Sequence, residues 1–188
     1  MTLSSFYMES ITQQQLRESC RELHDVAEKT RLAQELINGS IDPFIYKNYC
    51  YQLWFIADAV EARITMPTDL QRRHKLIMDI AECPSGPITA CPSTIEYARY
   101  LSSHYQPQLH GQLKGHVYAN YLGWLYGGQM IAKVLNLPKH HLRFENVKTC
   151  VDHLRNVQLN MIFDRDAEEA KKAFEYIIRI YGELYELH

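Results

Sequence analysis

Residues 118–129 read YANYLGWLYGGQ, a glycine-bearing stretch inside a long apolar segment that is otherwise helical in pattern. Gly123, Gly127 and Gly128 fall within six residues. Each interior glycine costs a helix about 1 kcal/mol against alanine, so three together call for a reason. Gly123 and Gly127 are four apart and share a face. A helix face bare of side chains brings its backbone against something flat, either a ligand or a closely packed neighbouring helix. The paired Gly127 and Gly128 also give a site for a kink.

The rest of the chain reads as helices with recognisable ends. Thr12 is suited to cap a helix running through Lys29, and residues 31–38 continue until Gly39, a C-terminal stop. Asp42 followed by Pro43 is an N-cap with proline at the first helical position, opening a segment apolar over a wide arc. Thr68 begins a shorter amphipathic stretch to about Glu82. Cys83 to Pro92 holds three prolines and Gly86 and is the clearest loop. Ser93 then caps a helix to about His104, and the glycine-bearing segment runs from about Leu109 to Asn136. Two more helices, near 146–162 and 166–186, complete the count. The β-branched clusters of a strand pair are missing. The expectation is an all-α, irregular multi-helix bundle of seven or eight helices, forming one domain over residues 1–188.

Composition excludes several classes. Hydrophobic residues make up 46% and charged residues 22%, ordinary for a globule. A net charge of −2 gives no footprint for nucleic acid or a membrane surface. The N-terminus MTLSSFYMES has no secretory pattern, and no run approaches the ~18 apolar residues of a membrane span. Five cysteines without a CxxC indicate neither a disulfide framework nor a zinc site. A soluble, reducing, cytoplasmic setting is therefore expected.

A second motif lies near the start. Residues 17–28 read RESCRELHDVAE, with His24 and Glu28 one helical turn apart on one face. An iron-ligating imidazole usually donates its second N–H to a carboxylate or carbonyl, and this pair offers that arrangement. Read alone, His24 is better explained as a packed or half-exposed residue, and Glu28 about as well as an exposed helix carboxylate.

Together, HDVAE and YANYLGWLYGGQ resemble the haem oxygenase family, whose patterns are a proximal HxxAE and, about a hundred residues later, a distal YxxYLGDLxGGQ. The terminal AFEYIIRIYGELYEL is similar to the family's last helix, and the resemblance runs from about Gln14 to Leu187. It implies haem held between two helices, with His24 as axial ligand to the iron and Glu28 behind it. Gly123, Gly127 and Gly128 would form the distal contact surface. The resemblance puts Arg17, seven residues before His24, at one haem propionate, and Arg155, with Arg143 and His153 nearby, in the region of the other. Tyr118 matches the family motif and, with Tyr126, is a candidate for the distal hydrogen-bond network. Phe174 and Tyr181 fall on the last helix, as pocket wall or plain core. Two departures stand out. The family's distal aspartate is Trp124 here, and a neighbouring arginine is Asn120. Indole has one donor and no comparable acceptor. Trp124 is expected to face the pocket or lie beside it, or else to be a core aromatic.

The activity implied is conversion of haem to biliverdin, carbon monoxide and ferrous iron, using oxygen. Haem would be both substrate and cofactor. No flavin or nicotinamide motif is present, so electrons would come from a ferredoxin or another reductase, docking near Arg17 and Arg21. A haem carrier or sensor without turnover is the alternative, and Trp124 is its best argument. A helical thiamin-degrading or quinone-cofactor-type enzyme is a third reading, which the HxxAE and GGQ pair opposes. The remaining histidines fit no metal pattern: His140 and His141 are adjacent, His110 and His116 are six apart, and there is no HExxH. Cys83-Pro84 and Cys91-Pro92 are better explained as turns than as haem-sensing dipeptides.

Overall fold

Asp42 Oδ1 accepts the amide N–H groups of Phe44 at 2.8 Å and Ile45 at 3.2 Å, and Pro43 fills the first helical position. Gly39 closes the preceding helix at φ 68°, and a Cβ there would stand 2.7 Å from the Val134 carbonyl oxygen. Handedness and packing both require glycine at that point. The computed structural model describes residues 3–103, 113–159 and 163–187.

Among these residues the chain is all helical. The helices are α1 (Leu3–Glu28), α2 (Arg31–Asn38), α3 (Pro43–Glu61), α4 (Arg73–Glu82), α5 (Pro92–Ser103), α6 (Lys114–Leu122), α7 (Gly128–Val134), α8 (Val147–Leu159) and α9 (Phe163–Glu186). A π turn, Gly123–Gly127, joins α6 directly to α7, so these two form one distal helix. Residues 109–112 and 160–162 of the expected helices, and His104 and His110, lie outside the described residues.

Three helix starts differ from the sequence reading. The first helix begins at Leu3, so Thr12 is inside it rather than capping it. Residues 68–70 form a turn, and α4 starts at Arg73 because Glu61 takes the amides of Arg72 and Arg73 from outside the helix. Ser93 sits one residue inside α5, and its amide and hydroxyl both donate to the Glu183 carboxylate.

The bundle is organised on α9 and α3. Helix α9 packs against α1, α2, α3, α5 and α6. Helix α3 is buried around most of its circumference, as its wide apolar arc requires. Its buried polar residues serve the 83–91 loop. Lys47 Nζ donates to the Pro84 carbonyl, Asn48 bonds the carbonyl of Pro87 and the amide of Thr89, and Gln52 bonds the carbonyl of Thr89 and the amide of Cys91. Five of the loop's backbone groups are thus satisfied by side chains of α3 rather than by secondary structure of its own.

Two carboxylates tie distant segments and make the bundle acid-sensitive. Burial would raise the Asp69 carboxyl, but the amides of Asn146 and Glu145 and the Lys75 ammonium hold it down at about 2. Burial likewise opposes ionisation of Glu169, but His116, Tyr100 and Lys172 hold it at about 2. Unfolded carboxyls titrate near pH 4. Their contribution to stability is therefore complete above about pH 4 and is lost as pH falls through about 2. Far-ultraviolet circular dichroism across this range is expected to show the helical signal falling, and Asp69→Asn is expected to flatten that limb. An unchanged acid limb in the variant would count against the role of Asp69.

Candidate functional site

The distal helix carries a π turn where the glycines cluster. The Gly128 N–H bonds to the Gly123 carbonyl, five residues back. Such turns are rare and concentrate at functional sites. A Cβ built at Gly123 or Gly127 would meet nothing within 4 Å. These two positions leave a bare strip of backbone, as their spacing predicts. Gly128 does not belong to it: a Cβ there would come 2.9 Å from Leu142 Cδ2. Gly128 is small to admit Leu142 on its Cβ side.

Trp124 is a core aromatic. It is 7% exposed, and its ring lies 4.7 Å from that of Tyr121 at 55°. Tyr121 in turn donates its hydroxyl to Glu61 Oε1 at 3.0 Å. The indole turns into the protein because it carries a large apolar surface. Restoring the family's acid by Trp124→Asp is expected to destabilise the fold by about 3–5 kcal/mol, since it removes a buried aromatic and buries a carboxylate. A urea midpoint unchanged from the parent protein would contradict this placement.

Asn120 is also internal. Its Nδ2 donates to the Tyr97 hydroxyl at 3.0 Å and to the His116 carbonyl at 2.9 Å. Tyr97 pairs with His116 Nδ1 at 2.9 Å, and His116 Nε2 pairs with Glu169 at 2.8 Å. Tyr100 and Lys172 complete a connected chain toward the surface. His116, which fits no metal pattern in the sequence, is thus the centre of a buried hydrogen-bond chain. The signal available was the i, i+4 pair His116 and Asn120, which says nothing about partners on α5 and α9.

On α1, His24 is half exposed, and its Nδ1 stands 3.8 Å from Glu28 Oε1. That is an ion-pair distance, longer than a hydrogen bond. Phe174, on α9, meets the imidazole edge to face at 5.7 Å and 72°. The imidazole has no hydrogen-bond partner among the described residues. It is fixed on one side by an aromatic ring and open on the other. His24, Asp25 and Glu28 also bring potential ligand atoms within 4.8 Å of one another.

Tyr118, half-buried on α6, feels both Cys20 and Arg17 of α1. Burial pushes its phenol up to about 12, with Cys20 adding to the rise and Arg17 opposing it. Its hydroxyl therefore remains a donor at neutral pH. Arg17 and Arg155 are exposed and have no ion-pair partner among the described residues. Arg21 pairs with Glu18 at 3.4 Å. Tyr126 is 54% exposed and joins no buried network. Tyr181 packs on Tyr49 as plain core, and burial lowers the imidazole of His153. His141 is buried against Asp79, whereas His140 pairs with Glu82.

His24 presents an open, oriented imidazole, Gly123 and Gly127 leave a bare backbone strip, and Arg17 and Arg155 carry guanidinium groups without an ion-pair partner among the described residues.

Comparison with known proteins gives a consistent result. A family model described as "Heme oxygenase" matches residues 11–183. "Heme oxygenase 2" of Macaca fascicularis is 29% identical over 209 residues, covering 90% of this chain and 64% of that protein. "Heme oxygenase 1" of Homo sapiens is 27% identical over 208 residues, covering 92% and 71%. The chain thus spans about 64% of the length of the first of these relatives. Among solved structures, heme oxygenase-2 from Synechocystis sp. PCC 6803, in complex with heme and NO, superposes with a TM-score of 0.78 at 23% identity, covering 94% of this chain and 86% of that one. The heme oxygenase from Leptospira interrogans gives 0.74 at 20% identity, covering 89% and 97%. These two likenesses establish the fold.

Proposed function

The chain belongs to the heme oxygenase family, and from that premise we propose that it degrades haem to biliverdin, carbon monoxide and ferrous iron. The observation that carries the proposal is the backbone strip at Gly123 and Gly127, open beyond 4 Å from either Cβ position. A merely packed helix would fill that space with a neighbour, as Gly128 does with Leu142.

His24 would hold the iron, with Glu28 behind Nδ1 favouring the tautomer that offers Nε2. Phe174 would fix the ring plane of the imidazole. Gly123 and Gly127 would admit the opposite face of the ring, Tyr118 would belong to the distal hydrogen-bond network, and Arg17 and Arg155 would meet the propionates. Haem, when bound, is the substrate and also supplies the iron that activates oxygen. The protein's own work is to bind, to orient and to exclude water. Tyr118 keeps its proton and serves as a donor at the edge of the site. Trp124, packed on Tyr121, and Gly128, packed on Leu142, would act from behind, by setting the position of the glycine strip. Electrons would come from outside, from a ferredoxin or another reductase. The exposed Arg17 and Arg21 would form part of an acidic donor's landing surface.

The test is direct. Purified protein mixed with hemin, reductant and oxygen is expected to lose the main haem band and gain the red absorbance of a bilin. A band that persists through reduction and oxygenation would reject turnover. It would favour the second reading, a haem-binding protein for storage, delivery or sensing. Trp124 supports that reading, because it buries an indole where the family carries an acid. Failure to take up hemin at all would reject both.

A further inference from the structure

The connection between α7 and α8 is held by two buried charged residues at α4. Asp79, fully buried on α4, takes three donors from two consecutive residues. Its carboxylate accepts the amide of His140 at 2.6 Å, the amide of His141 at 3.0 Å and His141 Nδ1 at 2.5 Å. Arg72, also fully buried, donates to the carbonyls of His141 at 2.8 Å and Arg143 at 3.0 Å, and its guanidinium stacks on the Phe144 ring at 4.0 Å. Two of its three other N–H groups go to the carbonyls of Leu70 and Asp69. Buried charges are tolerated only when fully hydrogen-bonded. Here two of them are committed to gripping the same turn.

The start of the connection is bolted as well. Lys139 Nζ donates to the carbonyls of Ala132 and Leu135, and the Tyr46 hydroxyl donates to the carbonyl of Pro138. Cys50 lies within 4.8 Å of the Asp79 and His141 ligand atoms, a grouping that suggests a metal. The Asp79 oxygens are already occupied by three N–H donors, so the cluster is a clamp rather than an ion site.

The gripped turn presents Leu142 to the distal helix. Leu142 Cδ2 lies 2.9 Å from where a Cβ on Gly128 would be, and the Leu142 carbonyl accepts Gln129 Nε2 at 3.1 Å. The π turn has no Cβ contact at Gly123 or Gly127, so its position must be set from behind. We propose that the 140–143 turn is a buttress that sets the height of the glycine strip, with Leu142 as its contact and Asp79, His141 and Arg72 as positioning residues. The purpose given to that height, the clearance for haem, rests on the function proposed above.

Hydrogen exchange on the ligand-free full chain tests the buttress without haem. Leu142→Ala and Asp79→Asn are each expected to speed exchange of residues 124–130 by about tenfold or more while α1 and α9 keep their protection. Leu142→Met, which conserves volume, should restore the parent pattern. In the hemin complexes, the same two variants should shift the visible absorption band and release hemin faster, and Leu142→Met should not. Faster exchange spread evenly over all helices, or unchanged exchange at 124–130, would overturn the proposal. A local change in a protein whose parent takes up no hemin would support the buttress and reject the function instead.

Discussion

His24→Ala is expected to abolish the histidine-ligated spectrum of the hemin complex while leaving stability almost untouched. The two halves of this expectation have separate causes. The imidazole is half exposed, its carboxylate partner stands at 3.8 Å, and its main contact is one edge of Phe174. Substitutions at such sites usually fall within about 0.5 kcal/mol. Bond formation to iron, in contrast, has no substitute at that position. Exogenous imidazole should diffuse into the space left by the side chain and restore the spectrum, because the Phe174 surface that orients the ring remains. Glu28→Gln should weaken haem affinity or activity by about 10- to 100-fold, the usual effect of removing a partner behind a ligand. An alanine variant with the parent spectrum would place the ligand elsewhere. A variant that unfolds would contradict the exposure of His24.

Gly127→Leu is expected to push stability and haem binding in opposite directions. Nothing lies within 4 Å of a Cβ at this position, so the new side chain projects into open space in the free protein. Helix propensity then favours leucine by up to about 1 kcal/mol. With haem present the same side chain overpacks the slot. Overpacking costs about 1–3 kcal/mol, or roughly five- to 150-fold in affinity. A higher thermal midpoint with weaker hemin binding is a result that plain helix packing cannot produce. If the glycine served a neighbouring helix, leucine would lower both. Gly128→Leu is the control for that outcome, since Leu142 already fills the space there.

Much of this molecule is legible one turn at a time. The caps at Asp42 and Gly39, the loop after Cys83, the pairing of His24 with Glu28 and the open strip at Gly123 and Gly127 all follow from spacings of four residues or fewer. Such features depend on a single element's own geometry. Trp124, Gly128, Asn120 and Ser93 behave differently because partners far along the chain decide them. Trp124 turns inward to Tyr121, which answers to Glu61 on α3. Gly128 is explained by Leu142, Asn120 by Tyr97, and Ser93 by Glu183. The unexpected start of α4 has the same origin, since the Glu61 carboxylate holds the amides of Arg72 and Arg73. Periodicity tells which residues share a face but not which other face they meet. The Asp79 clamp is invisible for that reason, since no spacing rule connects position 79 to position 141.

All five sulfhydryls, Cys20, Cys50, Cys83, Cys91 and Cys150, are unpaired and hidden from solvent. Burial also disfavours their thiolates, pushing Cys91 up to about 12 and Cys150 to about 11. Only the thiolate attacks an alkylating reagent. The native protein is thus expected to react slowly with iodoacetamide, with label acquired chiefly during excursions from the native state. Peptide mapping of the order in which the five positions become labelled would give a clock for local opening at five separate points, with no engineered probe.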